Sequence, residues 1–265
     1  MIRTIRRLWD HKDVIQQLTK KEVVGRYKGS YLGILWSFIT PLIMLVVYTF
    51  VFSVVFESKW GTDNSSKVDF ALVLFCGMLA FNIFAEVVTR SPQIIVSNTN
   101  YVKKIVFPLE TFPIILLLSS LVHAGISTII LIVAVLVFKG IVSWTVLFIP
   151  IVLAPLSMIA LGLAWVFASI GVFIRDLNQI LGVVVTALMF LSPIFYPLSN
   201  VPDKFRWFYD FNPISYVVED LRNVIIWGDL PNFSWLMMGA VIGAIVMFCG
   251  YYWFMKTKKA FSDVL

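Results

Sequence analysis

Charged residues are scarce in this sequence. They make up 14% of its 265 residues, whereas hydrophobic residues make up 60%. Soluble domains carry about 25% charged residues, and a chain with roughly half that share cannot cover a surface that faces water. A soluble enzyme, a nucleic-acid-binding protein and a disordered protein are therefore poor interpretations. The net charge of +6 raises a different question, namely where the charges lie relative to the apolar runs.

Residue types that carry familiar chemistry are also few. The two cysteines, Cys76 and Cys249, both lie within apolar runs, which argues against a disulfide framework. The two histidines, His11 and His123, have no Cys/His cluster around them that would predict a zinc site. The sequence also lacks the Gly-x-x-x-x-Gly-Lys-Ser/Thr loop that binds ATP phosphates and the Gly-x-Ser-x-Gly elbow. We therefore expect no metal, no cofactor and no catalytic residue on this chain.

What the sequence does contain is long apolar runs. A bilayer core of about 30 Å needs about 20 apolar residues in a helix. Six runs meet or approach that length, at residues 32–56, 70–89, 114–138, 144–174, 180–196 and 233–255. The runs are continuously apolar rather than alternating, which excludes a β-barrel pattern. They predict an all-α polytopic membrane protein with six transmembrane helices and a single domain over residues 1–265.

The positions of Lys and Arg predict the orientation. Six spans place both termini on one side of the membrane, and 15 of the 21 basic residues fall on that side. They lie in the N-terminal segment, the loop after the second span, the turn before the fifth span and the tail. Because basic loops remain on the cytoplasmic side, both termini are predicted to be cytoplasmic.

Two segments are neither spans nor simple loops. Residues 1–30 place apolar side chains on one helical face beside many basic ones, which predicts an interfacial amphipathic helix. Residues 197–232 contain a second helix, with Asn212 as its N-cap, Pro213 in its first turn and Gly228 after its end. This helix is too short and too charged to span, so we expect an interfacial or re-entrant helix on the outer side. Its predicted buried face comprises Ile214, Val217, Val218, Leu221 and Ile225.

Ionisable and nucleophilic groups inside the spans leave two alternatives open. Ser119, His123 and Ser127 share one helical face, as a nucleophile and base of an intramembrane serine hydrolase would. We favour a polar contact between helices, because no acid lies nearby in the sequence to orient the histidine. Glu86 is either functional or paired with Arg90 one turn later, and we favour the pair.

Several segments, read together, resemble a known family. They are residues 25–42 (GRYKGSYLGILWSFITPL), 100–110 (NYVKKIVFPLE), 175–179 (RDLNQ) and 192–197 (SPIFYP), followed by Asn212-Pro213 and Leu221-Arg222. In this order they resemble the membrane subunit of type-2 ABC exporters for polysaccharides, which export O-antigen, capsule or teichoic acid.

The resemblance implies a half-transporter in the bacterial inner membrane. Two copies would pair around a central channel, and two ATPase subunits would supply ATP and Mg. The substrate would be a polysaccharide linked to undecaprenyl diphosphate, with O-antigen as the leading candidate. A drug or lipid exporter of the same superfamily is an alternative.

The resemblance also implies roles for individual residues at the cytoplasmic side. The segment with Tyr101, Lys103, Lys104 and Phe107 corresponds to the main coupling helix that meets the ATPase. Arg175 and Asp176 correspond to a second coupling element. The alternative for the lysines is topology alone, since cytoplasmic loops are basic in any case.

The turn into the first span resembles the gate at the cytoplasmic entrance of the channel. This segment comprises Arg26, Lys28, Tyr31, Leu32 and Gly33. Arg and Lys there could bind the diphosphate of the substrate, or they could simply follow the positive-inside bias.

Aromatic residues make up 15% of the chain. Aromatic rings in membrane proteins usually lie in interfacial belts, but they can also stack on sugar rings and let a glycan slide. Our candidates for lining the channel are Phe190, Phe195 and Tyr196, with Trp36 as a weaker one.

Overall fold

In the computed structural model, residues 11–51, 67–103 and 107–265 are described, and within these ranges the chain is helical and contains no strand. The α-helices are α1 (Lys12–Gly25), α2 (Trp36–Tyr48), α3 (Lys67–Arg90), α4 (Thr99–Lys103), α5 (Thr111–Lys139), α6 (Ile149–Phe173), α7 (Leu177–Phe190), α8 (Asp203–Asp210), α9 (Pro213–Arg222), α10 (Phe233–Thr257) and α11 (Phe261–Val264).

The helical segments confirm an all-α, multi-pass membrane protein. Those long and apolar enough to cross a membrane are Gly33–Val51, Val68–Gln93, Thr111–Lys139, Trp144–Phe173 and Phe233–Ala260. Helix α7 is also apolar but shorter. Of the predicted spans, the last five residues of the first (52–56) lie outside the described residues.

The predicted fifth span, 180–196, needs a correction. Its helix begins earlier, at Leu177, and ends at Phe190, so residues 191–196 are not helical. Pro193 explains the difference, because proline offers no backbone N–H and disfavours helical geometry in the residue before it. The chain instead turns back and enters the segment that leads to α8 and α9.

Helix α3 is the centre of the bundle. In its apolar stretch, 78% of the residues are buried, compared with 6% in the segment Gly33–Val51. Helices α2, α5, α6, α7 and α9 all pack against it. A helix that is apolar on every side can be enclosed by neighbouring helices in this way.

Helices α6 and α10 pack with their backbones in contact. A methyl group on Gly250 would overlap the carbonyl of Gly162, and one on Gly162 would overlap the backbone of Val246. Small residues allow this close approach, which replaces the hydrophobic driving force that is missing between helices in lipid. A similar contact joins α6 to the turn after α3, where a side chain at Gly171 would overlap the Pro92 carbonyl.

The bundle has two ends of different character. The basic end comprises α1, residues 91–112, the turn at 174–176 and the tail from Lys256 onward. Helix α1 packs on α5 there, and α11 contacts both α4 and α6. The aromatic end comprises residues 140–148 and 191–235, which include α8 and α9.

The predicted helix in segment 197–232 is confirmed as α9. The Asn212 side chain accepts a hydrogen bond from the Ile214 N–H at 3.0 Å, and Gly228 ends the helical run at φ 77°. All members of the predicted face are buried.

Arg222, at the end of α9, is fully buried. Its guanidinium donates to the carbonyls of Val73 on α3 (3.3 Å) and Ile194 (3.0 Å), and to the Glu219 carboxylate (3.3 Å). Val73 lies about 8 Å inside the α3 span, counting 1.5 Å per residue from Val68. Of the two predicted placements, these contacts therefore support the re-entrant one over the interfacial one.

Candidate functional site

An ion-pair network ties α1 to the bundle at the basic end. The Glu86 carboxylate accepts hydrogen bonds from Arg26 and, at 3.1 Å, from Arg90. Arg90 also pairs with Glu22 on α1, and Arg26 donates to the Ser119 hydroxyl at 3.0 Å. The predicted pair of Glu86 with Arg90 is thus confirmed and is part of a longer chain of charges. Arg26, predicted to meet a diphosphate, is held by an internal carboxylate in this structure.

A cavity of about 590 Å³ opens beside this network. It lies between α1 and the segment that carries α4, and its lining includes Tyr101 and Asn98. Its charged side chains are four cations, Lys21, Arg26, Lys28 and Arg90, and one acid, Glu22, which pairs with Arg90. Guanidinium groups bind phosphate oxygens in pairs and an ammonium binds them as a point charge, so this basic-end cavity can hold an anionic headgroup.

The chain turns sharply between this cavity and α2. Gly29 and Gly33 adopt φ values of 91° and 53°, in the left-handed region that other residues rarely enter. Tyr31, between them, is fully exposed, and Leu32 is partly exposed. The structure therefore places Tyr31, Leu32 and Gly33 in an exposed turn before α2, whereas Arg26 lies in the ion-pair network at the end of α1.

The predicted coupling segment is anchored through its aromatic residues. The rings of Tyr101 and Phe107 are 5.0 Å apart, and both pack on Phe112 at the start of α5, at 5.6 and 5.2 Å. Lys103 ends α4, its side chain is not described, and Lys104 lies outside the described residues. The aromatic residues thus fix the segment to the bundle.

Arg175 and Asp176 form the other exposed turn of the basic end. They connect α6 to α7, and the Asp176 carbonyl accepts from the Gln179 N–H at 3.0 Å at the start of α7. Both side chains point to the surroundings rather than into the bundle, as a docking element requires.

Glu110 is a buried acid that the sequence analysis missed. Its carboxylate pairs with Lys258 of the tail at 2.6 Å, and its carbonyl accepts from the Trp165 indole at 3.0 Å. The contact joins the end of the coupling segment to α6 and α10. An acid in an otherwise basic loop was the only signal of it, because Lys258 lies 148 residues further along.

At the aromatic end, three of the four predicted channel aromatics come together. Phe190 and Phe195 stack at 5.7 Å, and the Tyr196 hydroxyl is hydrogen-bonded to the Phe190 carbonyl and to the Tyr209 hydroxyl, both at 2.7 Å. Burial raises the pKa of Tyr196, and the bond to Tyr209 raises it further. Trp36 lies apart from this group, on α2 near the opposite end.

Helix α8 adds aromatic residues that sequence reasoning did not single out. Together with Tyr196 and Val201 it borders a cavity of about 460 Å³. The α8 rings that line this cavity are Phe205, Trp207, Phe208 and Tyr209. The alternation of aromatic and charged residues in DKFRWFYD was the available signal.

The geometry of the Ser119, His123 and Ser127 face favours a helix contact. Ser119 accepts from Arg26, and the Ser127 hydroxyl donates to the His123 carbonyl at 3.1 Å rather than to its ring. The buried Nε2 of His123 has no hydrogen-bond partner among the described residues. The nucleophile–base bond of a hydrolase is therefore not formed.

The helices and the two ends define a multi-pass membrane protein with exposed turns at its basic end. Comparison with known proteins gives its family: the model of the ABC-2 type transporter family matches residues 13–226. The chain belongs to the ABC-2 type transporter family.

Relatives match along almost the whole chain. The O-antigen export system permease protein RfbA of Klebsiella pneumoniae is 28% identical over 259 residues, which cover 96% of this chain and 95% of that protein. RfbA of Myxococcus xanthus is 25% identical over 265 residues, 99% of both chains. The polysialic acid transport protein KpsM of Escherichia coli is 22% identical over 242 residues, 90% of this chain and 91% of its own. These relatives are transport proteins and not enzymes.

Proposed function

We propose that this chain is the channel-forming membrane subunit of an ATP-driven exporter of an undecaprenyl-diphosphate-linked polysaccharide, with O-antigen as the leading candidate. The observation that carries the proposal is the cationic cavity at the basic end, which adjoins the exposed turn at Tyr31 and Gly33. A diphosphate suits this cavity, and similarity to O-antigen export permeases extends over 96% of the chain.

In this proposal, the subunit works as a homodimer with two ATPase subunits that bind ATP and Mg. The homodimer follows from the resemblance to half-transporters, two copies of which pair around a central channel. The basic end faces the cytoplasm of a bacterial cell, in the inner membrane, because its loops hold most of the cations. No nucleic acid takes part.

The diphosphate binds at the basic-end cavity. Lys28 and Lys21 contact it as point charges, while Arg90 and Arg26 exchange part of their bonding to Glu86 for phosphate oxygens. The turn with Tyr31, Leu32 and Gly33 then acts as the gate through which the lipid-linked end passes.

The ATPase docks on the exposed turns of the basic end. Arg175 and Asp176 meet it at one turn, and the segment with Tyr101, Lys103, Lys104 and Phe107 meets it at the other. The aromatic anchoring of that segment and the Gly171–Pro92 contact support transmission of movement from these turns to α3 and α6. The glycan leaves past Phe190, Phe195 and Tyr196, with Trp36 near the entrance.

The test is glycan export in a strain from which this gene is deleted and to which it is returned together with the gene of the ATPase partner. The wild-type chain should copurify with the ATPase and restore glycan at the cell surface. Lys28→Glu, which reverses a charge in the cavity, should reduce surface glycan about tenfold or more, since like-charge contact costs several kcal/mol. Lys20→Glu on the exposed face of α1 is the matched control and should export normally. Normal surface glycan in the deletion strain would refute the proposal.

A further inference from the structure

A second polar cavity lies in the middle of the bundle, between α2, α3 and α5. It has a volume of about 480 Å³, which is within the range of small-molecule sites. We call it the mid-bundle cavity, and its uncharged polar lining includes Ser37, Thr40, Asn82, Ser120, His123 and Ser127. These residues all belong to segments that cross the membrane. Polar side chains at this depth are costly unless they have partners, so such a cluster indicates a ligand or water.

One residue of the cavity exposes a polar side chain, and another has a ring nitrogen without a partner. Asn82 is exposed although its neighbours Phe81 and Ile83 on α3 are buried. The Nε2 atom of His123 is buried and has no partner among the described residues. An amide and an imidazole in one cavity supply both donors and acceptors.

The charges at the cavity wall balance one another. Arg26 and Glu86 both line it, and they form an ion pair there. The remaining polar groups are neutral, while Phe75 and Tyr48 contribute aromatic surface. A ligand that fits these walls is uncharged, carries several hydroxyls and has apolar C–H faces. A sugar ring has these properties, whereas a diphosphate fits the basic-end cavity better.

We infer that the mid-bundle cavity binds one neutral sugar unit of the exported glycan through hydrogen bonds with Asn82, His123 and Ser127, of which Ser127 accepts. The inference rests on the proposed function and adds to it a hydrogen-bonding position between the basic end and the aromatic end. None of the four aromatic candidates for lining the channel borders this cavity. A glycan would thus be held by directional bonds in the middle and by ring stacking at its exit.

Photo-crosslinking in cells that make the glycan tests the inference. p-Benzoylphenylalanine is placed at one position per variant. The positions are Asn82 and Ser127 in the cavity and Phe195 at the aromatic end, and the control is Val133 on the exposed apolar face of α5. After irradiation, the purified chain is stained for periodate-oxidised glycan. We expect glycan adducts at positions 82, 127 and 195, and none at 133.

The outcomes separate the inference from the proposed function. Adducts at 195 without adducts at 82 and 127 overturn the inference and leave the proposed function standing. A lipid-only adduct at 82 also overturns the inference. Absence of glycan at all three positions, with the ATPase still bound, counts against both.

Export by conservative variants supplies a second readout. Asn82→Leu should reduce surface glycan about tenfold, because one or two hydrogen bonds to the ligand are lost. Asn82→Gln keeps the amide and should retain most export, and both variants should bind the ATPase normally. Wild-type export by Asn82→Leu contradicts the inference.

Discussion

The two ends of this bundle are held together by different forces. At the basic end, α1 is joined to the bundle by ion pairs that are partly exposed, Arg26 with Glu86 and Arg90 with Glu22. At the aromatic end, ring stacking and a fully buried arginine hold the re-entrant helix. Partly exposed pairs exchange partners at low cost, whereas a buried charge cannot leave its partners cheaply. The comparison indicates an end built to rearrange and an end built to keep its shape.

The largest effect should come from breaking the aromatic end. Arg222→Met leaves the carbonyls of Val73 and Ile194 without their donor inside the bundle, which should cost about 3 kcal/mol of stability. The melting temperature of the purified protein in detergent measures this. Arg206→Met is the control, because Arg206 is exposed and pairs with Asp203, three residues earlier on α8; its effect should stay within about 0.5 kcal/mol. Equal melting temperatures for the two variants would contradict the assignment of Arg222.

The next effect concerns docking at the basic end. Lys103→Glu with Lys104→Glu should lower ATPase stimulation by the membrane subunit about a hundredfold, because repulsion replaces attraction at the contact. The protein should still insert and melt normally. The same reversal at Lys20 and Lys256 is the control for net charge. Unchanged stimulation in the first variant would remove this segment from the docking surface.

A smaller effect should follow from the internal pair behind that segment. Glu110→Lys places two cations together and should weaken ATPase stimulation about tenfold. Breaking this partly buried pair should cost roughly one to two kcal/mol. Adding Lys258→Glu restores opposite charges and should recover most of the stimulation. Failure of the double variant to recover would show that the pair does not position the segment.

The smallest effect is expected at the exit. Phe195→Ala with Tyr196→Ala should reduce glycan export about threefold to tenfold, through loss of stacking that is worth about 0.5–1.5 kcal/mol per ring pair. Binding of the ATPase should be unchanged, because these residues lie at the opposite end. Trp144→Ala, an exposed aromatic of the same end, is the control. Wild-type export in the double variant would exclude the two rings from the path.

Local patterns predicted most of the fold. Apolar runs located the long helices, and Asn212 with Pro213 located the start of α9, because capping depends on adjacent residues. The early end of α7 was missed because apolar residues continue past Phe190, although Pro193 follows. Apolarity alone therefore does not set where a helix stops.

The partners of charged residues were less predictable. Arg90 was expected to pair with Glu86 and does, since four residues separate them on one helix. The pair of Arg26 with Glu86 spans 60 residues and that of Lys258 with Glu110 spans 148. No local pattern encodes such pairs, because they depend on how α1 and the tail pack on the bundle. The basic-end cavity and the mid-bundle cavity depend on the same packing.

The contact of Gly171 with the Pro92 carbonyl has a mechanical consequence. No side chain lies between the two backbones, so a displacement at this contact cannot be absorbed by side-chain rearrangement. A displacement of the turn after α3 must therefore either move α6 or open this contact, and the similar contact between Gly162 and Gly250 joins α6 to α10 in the same way. Direct backbone contacts thus connect α3, α6 and α10. A single methyl group added at Gly171 or Gly250 would force the two backbones apart.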